Sequence, residues 1–127
     1  MRLLDTDIMI DIMRNYHPAI EWLISLDESP GLPGYVAMEL MCGCDNKTEM
    51  NFILKQIEQF RIFWSNDTDS NRALASFEKG HLTHGMGILD ALIGECAKGL
   101  NASLCTFNVR HFKSIINLKI EQPYDKS

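Results

Sequence analysis

The sequence predicts an α/β fold with a central, mostly parallel sheet of about five short strands flanked by helices. Three observations carry this. A short apolar run starts almost at the first residue, at Leu3, stops on Asp5, and gives way at once to helical spacing. That first run is apolar at successive positions, as in a strand buried on both faces. Brief apolar runs then alternate along the chain with stretches whose apolar residues recur every three to four positions, the signature of strands alternating with helices.

Taken in order, residues 2–5 read as a buried parallel strand. From Asp7, the residues Ile8, Met9, Ile12 and Met13 have helical spacing, and Asp7 is expected to cap this helix by accepting free amides of its first turn. Asn15-Tyr16-His17-Pro18 breaks it, and Pro18 suits the first position of a second helix. The apolar face of that helix is Ile20, Trp22, Leu23 and Ile24, up to about Leu26. Residues 27–34 are rich in Gly and Pro and leave room for a brief strand around Leu32. Residues 35–43 are apolar apart from Glu39.

Asn46 with Glu49 three residues on resembles a capping box, and Met50, Ile53, Leu54, Ile57 and Phe60 form a helix stripe behind it. Residues 61–64 suit a short strand. Residues 67–71 open another helix, with Ala73, Leu74 and Phe77 expected inward. Gly85-Met86-Gly87 is a loop. Residues 88–100 form a helix with Leu89, Leu92, Ile93 and Cys96 on its buried side. Residues 102–107 and 118–121 are the last two strand candidates. No internal repeat, linker or low-complexity tract interrupts this order, so a single domain, 1–127, is expected.

Composition narrows the function. With 46% hydrophobic and 23% charged residues, a soluble globular protein is the expectation. No apolar run approaches the roughly 20 residues that span a bilayer. The first residues resemble neither a signal nor a transit peptide, so a cytoplasmic location is expected. Cys42, Cys44, Cys96 and Cys105 sit in apolar patterns, as buried reduced thiols do. Cys42-x-Cys44 lacks zinc-ligand spacing, and no second pair follows it. The net charge of −5 argues against a generic nucleic-acid binder, whose affinity comes from Lys and Arg. If Asp5, Asp7, Glu39 and Asp90 gather at one metal site, however, they hold most of that charge, and the rest of the surface is nearly neutral.

These acids are the candidate functional residues. Asp5 ends a strand, and ligands of open α/β sheets bind at the carboxyl ends of strands. Capping explains a lone Asp there equally well. Glu39 among apolar neighbours either lies on an exposed helix stripe or faces a polar cleft. Asp90 in the first turn of an apolar helix suits the positive helix end, and suits a cation as well. Asn108 follows the strand Leu104-Cys105-Thr106 and could equally be a turn residue. Gathered carboxylates repel unless a cation lies between them, and oxygen ligands select Mg²⁺ or Mn²⁺.

Four stretches occur in sequence: Leu3-Leu4-Asp5-Thr6-Asp7-Ile8, then Ala37-Met38-Glu39-Leu40 with Gly43, then Ile88-Leu89-Asp90-Ala91-Leu92-Ile93, then Cys105-Thr106-Phe107-Asn108-Val109-Arg110-His111-Phe112. With the closing Ile120-Glu121-Gln122-Pro123-Tyr124, this ordered set resembles a PIN domain, and within that superfamily the VapC-type toxins of toxin–antitoxin pairs. The resemblance covers essentially the whole chain. It implies a PIN-like fold, a parallel sheet with helices on both faces, and an endoribonuclease dependent on Mg²⁺ or Mn²⁺.

By the resemblance, Asp5, Glu39, Asp90 and Asn108 are the catalytic set, with Asp5 and Asp90 on the metal. Thr6, Asp7 and Thr106 support them from behind, and Glu39 orients or deprotonates the attacking water. Asn108 stands where many members carry a fourth acid, and Val36 where Ser or Thr is common. The implied partners are a cognate VapB-type antitoxin with a basic segment, a structured RNA such as tRNA, and a second copy of the chain, with DNA reached only through the antitoxin. Arg14, Arg110 and Lys113 are candidate RNA-backbone contacts, or else ordinary solvated charges. His81 and His84 are expected away from the site, and His111 is expected to be structural.

Two alternatives stand beside this reading. One is a PIN-like module that binds a basic partner segment in its acidic groove without chemistry. The other is a haloacid-dehalogenase-type phosphatase, which shares the Asp5-Thr6-Asp7 opening. That family wants Thr or Val where this chain has Met9, and a late pair of acids that is missing here.

Overall fold

The computed structural model describes residues 1–126. The chain runs β1 (Arg2–Leu4), α1 (Thr6–Met13), α2 (His17–Ser25), β2 (Leu32–Pro33), α3 (Gly34–Cys42), α4 (Lys47–Ile57), β3 (Ile62–Phe63), α5 (Asp67–His84), α6 (Ile88–Gly99), β4 (Ser103–Cys105), a 3-10 turn (Val109–Phe112) and β5 (Lys119–Glu121). Each strand expected from the sequence is present, shortened to two or three residues.

All the strand pairs are parallel. β4 lies between β1 and β5, and β2 pairs with β3. A bridge between Leu3 and Gly31 joins the two groups, with Leu4 N–H donating to the Gly31 carbonyl at 3.0 Å and Gly31 N–H donating to the Arg2 carbonyl at 2.8 Å. The strand order is therefore β3-β2-β1-β4-β5. The chain builds outward from β1 in one direction, then returns to build outward in the other. That reversal places a topological switch point between the carboxyl ends of β1 and β4, where sheets of this kind bind ligands.

The core is one apolar cluster. Leu3, Leu4, Leu32 and Leu104 come from the sheet, Ile8 and Met9 from α1, Val36 from α3, and Ile93 and Cys96 from α6. α6 packs on β4 and β2 and against α3 and α5, so it is covered on most sides. Its buried residues are Ala91, Ile93, Gly94, Glu95, Cys96 and Ala97, while Leu89 and Leu92 are half-buried. Small residues let its neighbours approach closely, and a large-residue stripe alone does not describe it.

Glu95 is 2% exposed and is held by Arg72 Nε at 3.0 Å and by the Ser76 hydroxyl at 2.7 Å, both from α5. Arg72 also bonds Asp69 on its own helix. Such a buried carboxylate survives only because every partner is in place. α5 starts with a reciprocal capping box between Asn66 and Asp69 and stops at Gly85, whose φ of 69° is left-handed.

Several expectations are corrected. β1 stops at Leu4, and the residue that caps α1 is Asp5, not Asp7. The helix begins one residue sooner because Asp5 has the extended backbone of a cap and its carboxylate accepts the Thr6 N–H. Leu74 is 70% exposed and Ile24 78% exposed, although both were expected inward. Cys42 is exposed and Cys44 half-exposed, so only Cys96 and Cys105 are buried thiols. Among the described residues no helix is long and apolar enough to cross a membrane.

These burial assignments have a direct consequence for stability. Leu104→Ala, in the interior strand β4, is expected to lower unfolding free energy by about 2–5 kcal/mol in urea titration. Leu74→Ala, on the outer face of α5, is expected to change it by less than about 0.5 kcal/mol.

Candidate active site

Asp5 lies at the switch point. It is 3% exposed, and both of its oxygens are engaged: Oδ1 accepts the Thr6 N–H at 2.8 Å and Oδ2 accepts the Thr106 hydroxyl at 2.7 Å. Thr106 follows β4 directly, so this bond ties the carboxyl ends of the two adjacent strands. The Thr106 oxygen in turn accepts the Asn108 N–H at 3.0 Å. Asn108 is exposed and opens the 3-10 turn. Asp5 and Asn108 are thus connected through one buried hydroxyl.

Asp7 sits in the first turn of α1 beside this pair. Its Oδ1 accepts the Ile8 N–H at 2.9 Å, and its Oδ2 accepts the Phe107 N–H at 2.8 Å from the loop after β4. Asp90, 23% exposed, enters from the first turn of α6. Its Oδ2 accepts the Gly87 N–H at 2.8 Å and lies 3.3 Å from His111 Nδ1, which leaves Oδ1 for a ligand. Glu39 is exposed on α3 and takes a hydrogen bond from the Thr6 hydroxyl.

Burial pushes the Asp5 carboxyl up to about 7, and the charges of Asp7 and Asp90 push in the same direction against the Thr106 and Thr6 hydrogen bonds. Asp7 is raised as well, again mainly by burial. Asp5 and Asp7 at the start of α1 and Asp90 at the start of α6 therefore share one electrostatic neighbourhood.

A family model for the PIN domain matches residues 2–116. The chain belongs to the PIN domain family. Solved structures agree on the fold. A toxin–antitoxin complex from Klebsiella pneumoniae contains a chain that is similar with a TM-score of 0.78 at 21% identity, over 99% of this chain and 100% of that one. VapBC-1 from nontypeable Haemophilus influenzae is similar with a TM-score of 0.76 at 24% identity, over 94% and 96%. VapBC2 from Rickettsia felis, bound to a DNA fragment from its promoter, is similar with a TM-score of 0.74 at 23% identity, over 94% and 96%. No curated protein sequence matches the chain. Family membership sets the phosphatase alternative aside.

The acids of this PIN domain fit a hard divalent cation. The side chains that act on Asp5, namely Asp7, Asp90 and Thr106, offer oxygens, and a cation would offset the burial and repulsion that raise Asp5. Among the described residues, no three His, Cys, Asp or Glu side chains converge on one point. An ion here would therefore be held by one or two carboxylates, Asp5 and Asp90, with water completing its shell. That is the habit of Mg²⁺ more than of a cation caged by protein.

The basic residues divide. Arg14 lines a groove of about 790 Å³ together with Thr6 and Glu39, between α1, α3 and α4. The groove is otherwise walled mostly by apolar residues such as Ile10, Met13, Leu40 and Phe52. Arg110 and Lys113 are exposed on and just after the 3-10 turn, and neither pairs with an acid among the described residues. His81 Nδ1, expected away from the site, lies 2.9 Å from the Met86 carbonyl, on the peptide group whose Gly87 N–H bonds Asp90. His111 is the residue sequence reasoning undervalued, since it faces Asp90. Its position three residues after Asn108, on a single 3-10 turn, was the available signal. The Phe107 amide carries no side-chain signal at all.

The raised Asp5 has a stability consequence in metal-free protein. A carboxyl that holds its proton more tightly folded than unfolded stabilises the fold fully below its unfolded value, near 4, and loses that contribution as pH rises through about 7. Asp5→Asn removes the charge, keeps an oxygen for the Thr6 N–H and reverses the bond to Thr106, whose hydroxyl oxygen then accepts. Urea midpoints in chelator are expected to fall between pH 5 and pH 8 for the wild type, and to fall less for Asp5→Asn. The variant is then the more stable protein at pH 8.

Proposed function

We propose that this chain is a metal-dependent endoribonuclease, the toxin component of a VapBC-type toxin–antitoxin pair, hydrolysing phosphodiesters of tRNA or another structured RNA. The observation that carries the proposal is the placement of buried Asp5 at the switch point, bonded to Thr106 and within electrostatic reach of Asp90, in a PIN-family chain.

Asp5 and Asp90 hold Mg²⁺ or Mn²⁺. When bound, that ion polarises the phosphoryl oxygen and lowers the pKa of water. Thr106 and Thr6 fix the Asp5 carboxylate, and Gly87 fixes Asp90, so neither has to reorganise as RNA arrives. Glu39 is exposed to the substrate side, and the Thr6 hydroxyl holds one of its oxygens, leaving the other to orient the attacking water and take its proton. Asn108, joined to Asp5 through the Thr106 hydroxyl, would offer a neutral side-chain oxygen to the ion or its water. In-line attack leaves a 5′-phosphate and a 3′-hydroxyl. Arg14, Arg110 and Lys113 contact the RNA backbone on either side of the acids.

The partner reading follows from the same features. The Klebsiella, Haemophilus and Rickettsia structures are toxin–antitoxin assemblies. A VapB-type antitoxin with a basic segment suits the apolar groove that ends at Glu39, where an arginine fork matches a carboxylate. DNA is contacted through the antitoxin, and the toxin pairs with a second copy of itself. A single domain, 1–127, working in the cytoplasm completes the picture.

A second reading is supported by Asn108. A neutral amide where many PIN members carry an acid lowers the charge available to a metal, as suits a module that binds a basic segment without cleaving RNA.

Cleavage assays on antitoxin-free protein separate the two. Structured RNA is expected to be cut in Mg²⁺ or Mn²⁺ and to be left intact in chelator. Asp90→Asn and Glu39→Gln are each expected to slow cleavage roughly 10²- to 10⁴-fold while the fold persists by circular dichroism. Metal-dependent cutting that survives undiminished in Asp90→Asn contradicts the assignment, and an inert wild type favours the binding module.

A further inference from the structure

Nothing in the proposed chemistry uses Asp11, yet it is a buried carboxylate on the helix that carries Asp7, one turn further on. Both of its side-chain partners come from the segment after β5. The Tyr124 hydroxyl donates to Asp11 Oδ2 at 2.7 Å, and Lys126 Nζ lies 2.8 Å from the same oxygen. Burial and the Asp11 charge raise the Tyr124 phenol, so its hydroxyl stays a donor at neutral pH.

The same two residues cover Phe107. The Tyr124 ring meets the Phe107 ring edge-on, with centroids 5.0 Å apart, and Lys126 Nζ lies 5.0 Å from the centroid of the Phe107 ring. On its other side, the Phe107 backbone N–H is bonded to Asp7. Tyr16 and Trp22 pack behind Tyr124, at 6.0 Å and 6.2 Å. The contacts therefore close a ring, from Asp7 to Phe107, through Tyr124 and Lys126 to Asp11, and back along α1. Asn108 is the next residue after Phe107.

Aromatic packing alone would bury Tyr124 without fixing its direction. Two polar groups converging on one buried carboxylate oxygen fix the direction too, because each has one low-energy place to be. The helix that supplies Asp7 is thereby joined to the loop that supplies Asn108 by a third piece of chain, which holds Asp11 on the one and Phe107 on the other.

We propose that residues 122–126 form a strap that sets the positions of Asp7 and Asn108, with Tyr124 and Lys126 acting through Asp11 and Phe107 as positioning residues for the site. The catalytic consequence rests on the nuclease reading. The strap itself does not, and its first readout is independent of cleavage.

The experiment is residue-resolved hydrogen exchange on the whole protein, paired with steady-state RNA cleavage. Tyr124→Phe keeps the ring and removes the donor, and Lys126→Ala removes the second partner while leaving the core untouched. In each, the Phe107 amide is expected to exchange roughly tenfold to a hundredfold faster, as fits losing a hydrogen bond to a charged group, while amides in β4 and mid-α6 keep their wild-type protection. kcat is expected to fall about tenfold or more with KM unchanged, as misplacement of a site demands, and Lys126→Arg is expected to restore both. Ser76→Ala, which disturbs the distant Glu95 network, is expected to lower Tm and change neither readout. Wild-type exchange at Phe107 in both strap variants overturns the strap. Faster exchange with undiminished kcat overturns its positioning role. A wild type that cleaves no RNA overturns the nuclease reading instead, and Phe107 exchange still decides the strap.

Discussion

The Asp5 carboxylate reaches from the end of β1 to the Thr106 hydroxyl at the end of β4, and it does so almost wholly out of water. Burying a carboxylate is costly unless its oxygens are bonded. That cost explains much of the local design. The cap geometry of α1 brings the Thr6 N–H to one oxygen, and a threonine at the first residue beyond β4 serves the other. Two strands distant in sequence must lie side by side and in register for this to occur, so the sheet is a precondition of the site. The chain then adds Asp7 and Asp90 close enough to raise Asp5 further. A fold optimised for stability alone would not gather like charges there.

Much of this was legible before the structure, because the relevant signals are local. An apolar run ending on an acid, a Gly-flanked loop before an apolar helix, and a strand followed by Thr106 and Asn108 each announce an element and its end. Ordered together, they identify the family and place Asp5, Asp90 and Asn108 at the correct edges. The identity of the α1 cap was misjudged because Asp5 and Asp7 both carry a capping side chain, and only the backbone of Asp5 decides between them. Leu74 on α5 was expected inward and is exposed, and the buried set of α6 was only partly foreseen. Periodicity assumes one buried face, whereas α6 is covered on most sides and buries Glu95 with its small residues.

What the sequence could not display are the bonds across long separations. Thr106 to Asp5, Phe107 to Asp7 and Tyr124 to Asp11 each join residues at least 100 positions apart. None has a spacing rule, and one uses a backbone amide with no residue preference. Asp11, which nothing in the sequence singles out, is a buried anchor. The pattern has a common cause: the first helix is where the rest of the chain comes to be fastened. Thr106, Phe107, Tyr124 and Lys126 all bond acids in or next to its first two turns, so motion of that helix is motion of the site.

The central claim is that the carboxyl ends of β1 and β4, with the start of α6, make one hard-cation site. Anomalous diffraction from crystals soaked in Mn²⁺ at neutral pH or above tests it most directly. An anomalous peak within ligation distance of an Asp5 or Asp90 oxygen, roughly 2.0–2.4 Å, and its loss in Asp90→Asn crystals, is the expected result. Ordered Mn²⁺ found only elsewhere on the molecule, with Asp5 and Asp90 keeping their metal-free hydrogen bonds, would contradict it.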